Sequence, residues 1–266
     1  MELLSPEWLV ILPAVALLAG FIDAVAGGGG LLTVPALLMS GMSPAQALAT
    51  NKLQGTFGTL SAVVTFFRAG HLPLRRLWPA VVTIAIGAGL GAWAAQVVTA
   101  ALLDQVIPVL LIAIAAYYLF SPAAGQAESR QRVSAPVFNS TAAPAIGFYD
   151  GFFGPGTGAF FSTGNVVLRG HNLLTATAHA KLFNFTSNIA SLVVFIAGGQ
   201  TLWLAGLLMG AGQIAGALIG SRMVVKRGAG LVRPMLIVMS LLITANLVIR
   251  NPDHFLHQAV LALFNS

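Results

Sequence analysis

The chain has 266 residues, of which 57% are hydrophobic and only 8% are charged, and its net charge at pH 7 is +6. Soluble domains carry roughly a quarter charged residues, so this composition excludes a water-soluble protein and predicts an integral membrane protein with several crossings. The lack of cysteine excludes disulfide bonds and thiolate chemistry. The basic residues fall mostly in short loops, where they orient a membrane protein, so we expect no nucleic-acid partner.

The first half, residues 1–120, begins with an apolar segment that ends at a charged residue and a run of glycines. This segment, residues 8–25, contains Asp23 and is followed by glycines 27–30. The next apolar piece, residues 31–40, would span only about 16 Å as a helix, which is half a bilayer. We therefore predict a broken-helix hairpin with its tip at membrane depth. Three transmembrane helices follow near 44–68, 77–98 and 103–120.

The second half, residues 136–250, repeats this order of segments. A hydrophilic linker, residues 121–135, separates the two halves. An apolar segment at 136–153 contains Asp150 and leads through a glycine-rich turn to a short apolar piece at 158–168. Three longer apolar helices are predicted near 174–197, 202–222 and 231–249. The remaining residues, 251–266, form a C-terminal tail or an interfacial helix.

The two halves align as an internal repeat. Residues 20–23 (Gly-Phe-Ile-Asp) fall on residues 147–150 (Gly-Phe-Tyr-Asp), and Lys52 falls on Lys181. The register holds over about a hundred residues, as expected for a duplicated structural unit. The sequence therefore predicts an all-α integral membrane fold of two repeats, each a broken-helix hairpin plus three transmembrane helices.

Equivalent loops of the two repeats differ in charge. The loop after the Lys52 helix carries Arg68, Arg75 and Arg76, whereas its counterpart at 197–201 carries no basic residue. The next pair of loops reverses this pattern. Basic loops remain on the cytoplasmic side, so equivalent loops lie on opposite sides of the membrane and the repeats have inverted topology. This arrangement places the linker in the cytoplasm and both termini outside.

Four charged residues lie inside apolar segments, as two copies of an Asp/Lys pair. A charge within the bilayer costs several kcal/mol unless it meets a partner or a water-filled path. Lys52 and Lys181 can each pair with the aspartate of their own repeat, Asp23 or Asp150, or recognise an anion. The aspartates can cap helix N–H groups, neutralise the lysines, or carry a proton.

The Lys181 helix carries a polar stripe. Thr177, Lys181, Asn184 and Asn188 recur at helical spacing and should face a polar interior. The matching stripe of the first repeat is less polar, so we expect side-chain contacts to a ligand to be richer in the second half. Two further polar residues in apolar helices, His179 and Gln213, are candidates for coupling or for support of the site.

The glycine runs lack the Lys-Ser/Thr ending of a phosphate loop. They permit a tight turn, or they open a half-helix whose free N–H groups and positive dipole end attract an anion. Two such termini, one from each repeat, could face each other. The candidate anion contacts in the turns are Gly28, Gly29, Gly30, Gly156, Thr157 and Gly158.

Four segments together resemble one known family. GFIDAVAGGGGLLTVPAL, SPAQALATNKLQG, GFYDGFFGPGTG and TATAHAKLFNFTSNIA, in this order, are similar to the signature segments of the TauE/SafE sulfite exporter family, and most similar to its YfcA-like branch. The resemblance covers nearly the whole chain. It implies secondary transport of sulfur-containing or other organic anions, such as sulfite, sulfoacetate, sulfolactate or related carboxylates, without an ATP-binding domain.

The predicted function is therefore secondary transport of a small anion, in the direction of export and coupled to protons or voltage. Lys52 and Lys181 would neutralise the anion, while turn amides, Asn184 and Asn188 donate hydrogen bonds. An anion channel that uses the same site is the alternative. No nucleophile–base arrangement predicts an enzyme, and we expect no metal or cofactor. The expected setting is the bacterial inner membrane, and the candidate partners are the lipid bilayer, a small anion and a second copy of the chain.

Overall fold

The computed structural model describes residues 5–97, 112, 116–117, 119–120 and 125–250. Within these residues all regular secondary structure is helical. The first-half helices are α1 (Pro6–Ala26), α2 (Gly30–Met39), α3 (Pro44–Arg68) and α4 (Leu74–Ala94). The second-half helices are α5 (Ala135–Ser140), α6 (Ala142–Phe152), α7 (Thr157–Val167), α8 (Leu173–Ala197), α9 (Trp203–Arg227) and α10 (Ala229–Arg250). Most of the helix predicted near 103–120 and the whole predicted tail at 251–266 lie outside the described residues.

Four helices, α1, α4, α8 and α9, are long and apolar enough to cross a membrane, as the composition predicts. Helix α3 is as long as α8, but it is more polar. Helices α2 and α7 have only 10 and 11 residues, so each can reach about halfway across a bilayer. The predicted short helices after the two glycine turns are therefore present.

Side-chain caps fix the starts of the two central helices, α3 and α8. Ser43 Oγ accepts a hydrogen bond from the Gln46 amide, and the Gln46 side chain accepts one from the Ser43 amide, which is a complete capping box. Asn172 caps α8 in the same way, because its Oδ1 accepts from the Thr175 amide at 2.9 Å. Ser43 and Asn172 are 129 residues apart, the spacing that also relates Lys52 to Lys181.

One predicted segment differs from the structure. The apolar stretch at 136–153 is not one helix but two, because the chain breaks at Thr141, whose φ and ψ are −124° and −78°. Pro144 accounts for the break, since its ring clashes with the carbonyl four residues earlier and it has no N–H to donate. In the first turn of α6 the missing N–H costs nothing, so the second helix can begin there.

The first arm of each hairpin packs against a helix of the other half. Helix α1 packs on α9, and α6 packs on α4. Both contacts depend on a Gly-xxx-Gly pair, as expected for close helix packing in membranes. A Cβ at Gly216 of α9 would lie 1.9 Å from the Leu17 carbonyl oxygen, and one at Gly91 of α4 would lie 2.0 Å from that of Phe148. Larger residues at these positions would separate the helices.

Helices α3 and α8 form the centre of the bundle. They pack against each other, and each also packs on a helix of the opposite half, α3 on α9 and α8 on α4. Helix α8 is buried along most of its length despite its polar residues. The two helices that carry the buried lysines therefore meet at the middle of the molecule.

The basic loops meet at one end of the bundle. Leu72, Val166 and Val224, beside the loops that follow α3, α7 and α9, belong to one hydrophobic cluster. The basic residues in or beside these loops include Arg68, Arg75, Arg76, Arg169, Arg222, Lys226 and Arg227. A second cluster, which includes Leu12, Met42 and Ala205, lies at the other end, where the loops at 40–43 and 198–202 contain no charged residue.

Candidate functional site

The four buried charges pair across the two halves of the chain. Lys52 Nζ lies 2.9 Å from Asp150 Oδ1, and Lys181 Nζ lies 3.1 Å from Asp23 Oδ2. Both lysines are only 1% exposed. The expectation that each lysine pairs with the aspartate of its own repeat is therefore wrong. Spacing along the chain suggested it, but the packing of each hairpin arm on the other half brings the opposite aspartate to the lysine.

Each lysine also closes the end of a broken helix. Lys52 Nζ donates to the backbone carbonyl of Asp150 at 2.5 Å, in the last turn of α6. Lys181 Nζ donates to the backbone carbonyl of Asp23, in the last turn of α1. A cation at a helix C-terminus satisfies carbonyl groups that lack partners and interacts favourably with the helix dipole. Each lysine thus holds the hairpin arm of the other half in place.

The aspartates neutralise the lysines rather than cap the short helices. No side-chain hydrogen bond caps the N-terminus of α2 or α7. Asp150 instead accepts hydrogen bonds from Thr157 Oγ1 at 2.8 Å and from Asn184 Nδ2 at 3.3 Å. Thr157 and Asn184 thereby position the carboxylate beside Lys52.

The two glycine turns touch each other. A Cβ at Gly27 would lie 2.2 Å from the Cα of Gly158, and a Cβ at Gly158 would lie 2.3 Å from the Cα of Gly27. Gly27 also has a φ of +74°, which ends α1 in a left-handed cap. Only glycine fits this contact, so the tips of both hairpins meet backbone to backbone.

Several turn amides have no acceptor within the described part of the chain. They are the N–H groups of Gly28, Gly29, Gly30, Gly156 and Gly158. Of these residues, Gly30 and Gly158 line the central cavity. Gly29 instead packs on α1, where a Cβ would lie 2.8 Å from the Ala19 carbonyl oxygen. The six predicted turn residues therefore divide into cavity-lining positions, which are Gly30, Thr157 and Gly158, and positions that serve the turn.

A polar cavity of about 30 Å³ lies between the glycine turns and the two central helices. Five pairs of equivalent residues from the two halves line it, at spacings of 127 or 129 residues. The pairs are Asp23 and Asp150, Gly27 and Gly154, Gly30 and Thr157, Gly55 and Asn184, and Thr59 and Asn188. The remaining lining residues are Asn51, Gln54, Gly158 and Gln213. We call this cavity the central pocket.

Asn51 and Gln54 are site residues that the sequence analysis missed. Thr33 Oγ1 and Gln54 Nε2 both donate to Asn51 Oδ1, at 2.6 and 2.8 Å. With them, α3 contributes three polar side chains to the central pocket and α8 contributes two, whereas the two whole halves contribute four and five. The expectation of richer ligand contacts in the second half stays a prediction. Asn51 and Gln54 align with Ala180 and Phe183, so a comparison limited to matched positions overlooks them.

The central pocket contains polar atoms without hydrogen-bond partners. The side-chain oxygens of Gln54 and Gln213 are buried and unpaired within the described chain. The predicted residue Gln213 is held between Gly20 and Gly58, where a Cβ on either glycine would clash with it. Buried polar groups without partners are costly, so these two side chains are available to water or to a ligand.

Lys52, Lys181 and His179 do not line the central pocket. Lys52 is close to it, because a Cβ on the pocket residue Gly154 would lie 3.3 Å from Lys52 Nζ. His179 is buried on another face of α8 and borders a separate cavity. Among the described residues no group of three or more His, Asp or Glu side chains could hold a metal ion.

Comparison with known proteins gives consistent matches over most of the chain. The family model described as sulfite exporter TauE/SafE matches residues 12–247. A "Probable membrane transporter protein" of Haemophilus influenzae is 48% identical over 91% of this chain and 95% of that protein. "Probable membrane transporter protein YfcA" of Escherichia coli K12 is 46% identical over 92% and 91%. "Probable membrane transporter protein ORF9" of a Sinorhizobium species is 46% identical over 96% and 97%. No solved structure matches the chain.

Proposed function

The chain belongs to the sulfite exporter TauE/SafE family, and from this we propose that it is a secondary transporter that exports a small sulfur-containing or organic anion through the central pocket. The observation that carries the proposal is the pocket itself, which is polar, buried, and lined by equivalent residues of both halves. Broken helices that meet at such a pocket are the usual substrate site of transporters built from repeats.

The two halves are inverted-topology repeats. The exchanged helix contacts support this: α1 packs on α9 as α6 packs on α4, and α3 packs on α9 as α8 packs on α4. The crossed ion pairs of Lys52 with Asp150 and Lys181 with Asp23 support it as well. Basic loops face the cytoplasm, so the end that carries Arg76 and Arg169 lies inside and the N-terminus of α1 lies outside. The membrane is the bacterial inner membrane.

The anion is recognised by hydrogen-bond donors around the pocket. Gly30 and Gly158 lie in the first turns of the short helices α2 and α7, and their N–H groups are free. The positive dipole ends of both helices therefore meet at one site. The side-chain amides of Asn51, Asn184 and Asn188 also line the pocket and add further donors. A sulfite, sulfonate or carboxylate group can accept several of these hydrogen bonds at once.

Charge balance links anion transport to protons. The two lysines and two aspartates cancel in pairs, so an anion adds one uncompensated negative charge to a region of low dielectric constant, which costs several kcal/mol. The cost falls if Asp150 takes up a proton, because Lys52 then keeps its positive charge for the anion. Gly154 has no side chain to separate Lys52 from the pocket. Proton uptake by Asp23 would leave the positive charge of Lys181 for the anion in the same way.

The size of the pocket indicates an alternating-access mechanism. A cavity of about 30 Å³ holds about two or three water molecules at most, since one water needs roughly 10–15 Å³. An organic anion is larger, so the hairpin tips at Gly27 and Gly158 must separate before it enters. A channel would require a continuous path, and this closed contact favours a carrier over the alternative of an anion channel.

Flux measurements on reconstituted protein test the proposal. Proteoliposomes loaded with sulfite, a sulfonate such as sulfoacetate, or a small carboxylate should show saturable efflux of at least one anion. Asn188→Leu should abolish this efflux because it removes a donor and fills the pocket, whereas Ile189→Leu, on the exposed side of α8, should leave it intact. Equal efflux from both variants, or single-channel currents in a planar bilayer, would contradict a carrier with this site.

A further inference from the structure

A second, larger cavity lies at the basic end of the bundle. Its volume is about 440 Å³, which is within the range of small-molecule binding sites and far above that of the central pocket. It lies between the first turn of α4, helix α5, the end of α7 and the start of α8. We call it the basic-end cavity. None of the residues that line it also lines the central pocket.

His179 is the buried polar group that faces this cavity. Its side chain is 4% exposed, and neither ring nitrogen has a hydrogen-bond partner among the described residues. The ring of His171 stands edge-on to it, with 4.9 Å between the ring centroids. A buried imidazole without partners is costly, so its two ring nitrogens offer one donor and one acceptor that a ligand can satisfy.

Two arginines give the cavity a positive charge. Arg169 is half-buried and donates through Nη1 to the carbonyl oxygen of Val133 at 2.5 Å, which fixes its guanidinium at the cavity wall. Arg76, an exposed residue in the first turn of α4, also lines the cavity. One acidic group, Glu128, lies 3.9 Å from His171 and is itself largely exposed. The balance of charge therefore favours an anion.

His171 adds hydrogen bonding rather than charge. Burial lowers its pKa below the ordinary value, and Arg169 lowers it further, against the opposing effect of Glu128. The imidazole is therefore neutral at pH 7 and can donate one hydrogen bond. Asn139 and Asn165 supply side-chain amides from α5 and α7.

The rest of the wall is apolar. Phe138, Phe183 and Leu77 contribute apolar surface to it. An inorganic anion would leave this surface without a contact, whereas an apolar group attached to the anion would be buried on it. The geometry points to a second binding site in the basic-end cavity for a water-soluble organic anion, one carboxylate or sulfonate group on an apolar body such as an aromatic ring.

Calorimetric titration of the full-length protein in detergent with benzenesulfonate tests this site. The wild-type protein should bind the probe, and Arg76→Gln and Arg169→Gln should each weaken binding about tenfold or more, since a charge-assisted hydrogen bond is lost. Arg75→Gln is the matched control, because Arg75 is exposed, adjacent in sequence and absent from the cavity wall. It should change binding by less than about twofold. Asn188→Leu in the central pocket should also leave this binding unchanged.

Three results would overturn the proposal. The first is no binding of benzenesulfonate to the wild-type protein. The second is equal affinity of the Arg75→Gln and Arg76→Gln variants, which would reduce the effect to general surface charge. The third comes from nanodiscs: if phosphatidylglycerol binds in an Arg76-dependent manner and benzenesulfonate does not compete with it, the cavity holds a lipid headgroup instead of a soluble anion.

Discussion

Double-mutant cycles on the four buried charges give the sharpest test of the structure. Lys52→Met removes the charge and keeps most of the side-chain volume, while Asp150→Asn keeps an oxygen that can accept from Thr157. Lys52 and Asp150 are 1% and 2% exposed, and their charged atoms are 2.9 Å apart. Removing one partner of such a pair leaves the other charge buried without compensation, which lowers the unfolding free energy by about 3–5 kcal/mol. Removing both leaves no isolated charge.

The losses in unfolding free energy of the two single mutants, added together, should therefore exceed the loss in the double mutant. We expect a coupling free energy of about 1.5–3 kcal/mol for Lys52 with Asp150. The same cycle for Lys52 with Asp23, the pairing within one repeat, should give less than about 0.5 kcal/mol, because these residues share no contact.

Unfolding in detergent, followed by circular dichroism over a denaturant series, supplies the free energies. Lys181 with Asp23 and Lys181 with Asp150 form the mirror cycles, and the first of these should show coupling of similar size. Strong coupling of Lys52 to Asp23 and none to Asp150 would refute the crossed pairing, and with it the helix arrangement that produces it.

Three further predictions concern the turn, the pocket and the basic end. Gly158→Ala should abolish transport and lower thermal stability, because the added Cβ would lie 2.3 Å from the Cα of Gly27. Gly230→Ala should do neither, because no atom lies within 4 Å of the added Cβ. Normal flux in Gly158→Ala would contradict the contact between the two hairpin tips. Gln213→Leu removes an unpaired buried oxygen, so it should preserve or raise the melting temperature in detergent while impairing anion flux; unaltered flux would remove Gln213 from the site. Burial lowers the pKa of His171, so the unfolded chain binds more protons than the folded one below pH 6.5, and stability should fall as the pH drops through that value. His171→Gln should reduce the change in melting temperature between pH 7.5 and pH 5. An unchanged dependence of the melting temperature on pH would show that another group is responsible.

Local features of the sequence were sufficient to predict most of the helices. Ser43 and Asn172 are cap residues whose side chains bond the next turn, and this preference acts whatever the tertiary contacts. The short helices α2 and α7 follow from the distance between a glycine turn and the next polar stretch. The break at Thr141 could also have been read from the sequence, because Pro144 bars a continuous helix, but the apolar composition of the segment concealed it.

The candidate site was harder to predict because its contacts are set by packing between the halves. Lys52 and Asp23 share a repeat, and only the packing of α6 on α4 and α1 on α9 decides that Lys52 meets Asp150 instead. Asn51 and Gln54 show a different limit. They lie on one face of α3 with Gly55 and Gly58, but their counterparts in the second repeat, Ala180 and Phe183, are apolar, so the alignment of the repeats does not mark them.

The crossed pairing makes each half of the chain depend on the other. Lys52 closes the last turn of α6, and Lys181 closes the last turn of α1, so neither hairpin arm has its cation within its own half. A half expressed alone would bury a lysine and an aspartate with no partner for either, at a cost of several kcal/mol for each charge. The same bonds join the hairpins mechanically to the central helices of the opposite half. A shift of α3 that releases Lys52 from Asp150 therefore acts on the second hairpin, and its counterpart in α8 acts on the first. With the inverted topology proposed above, such exchanged links would be a physical means of tying opening toward one side of the membrane to closing toward the other.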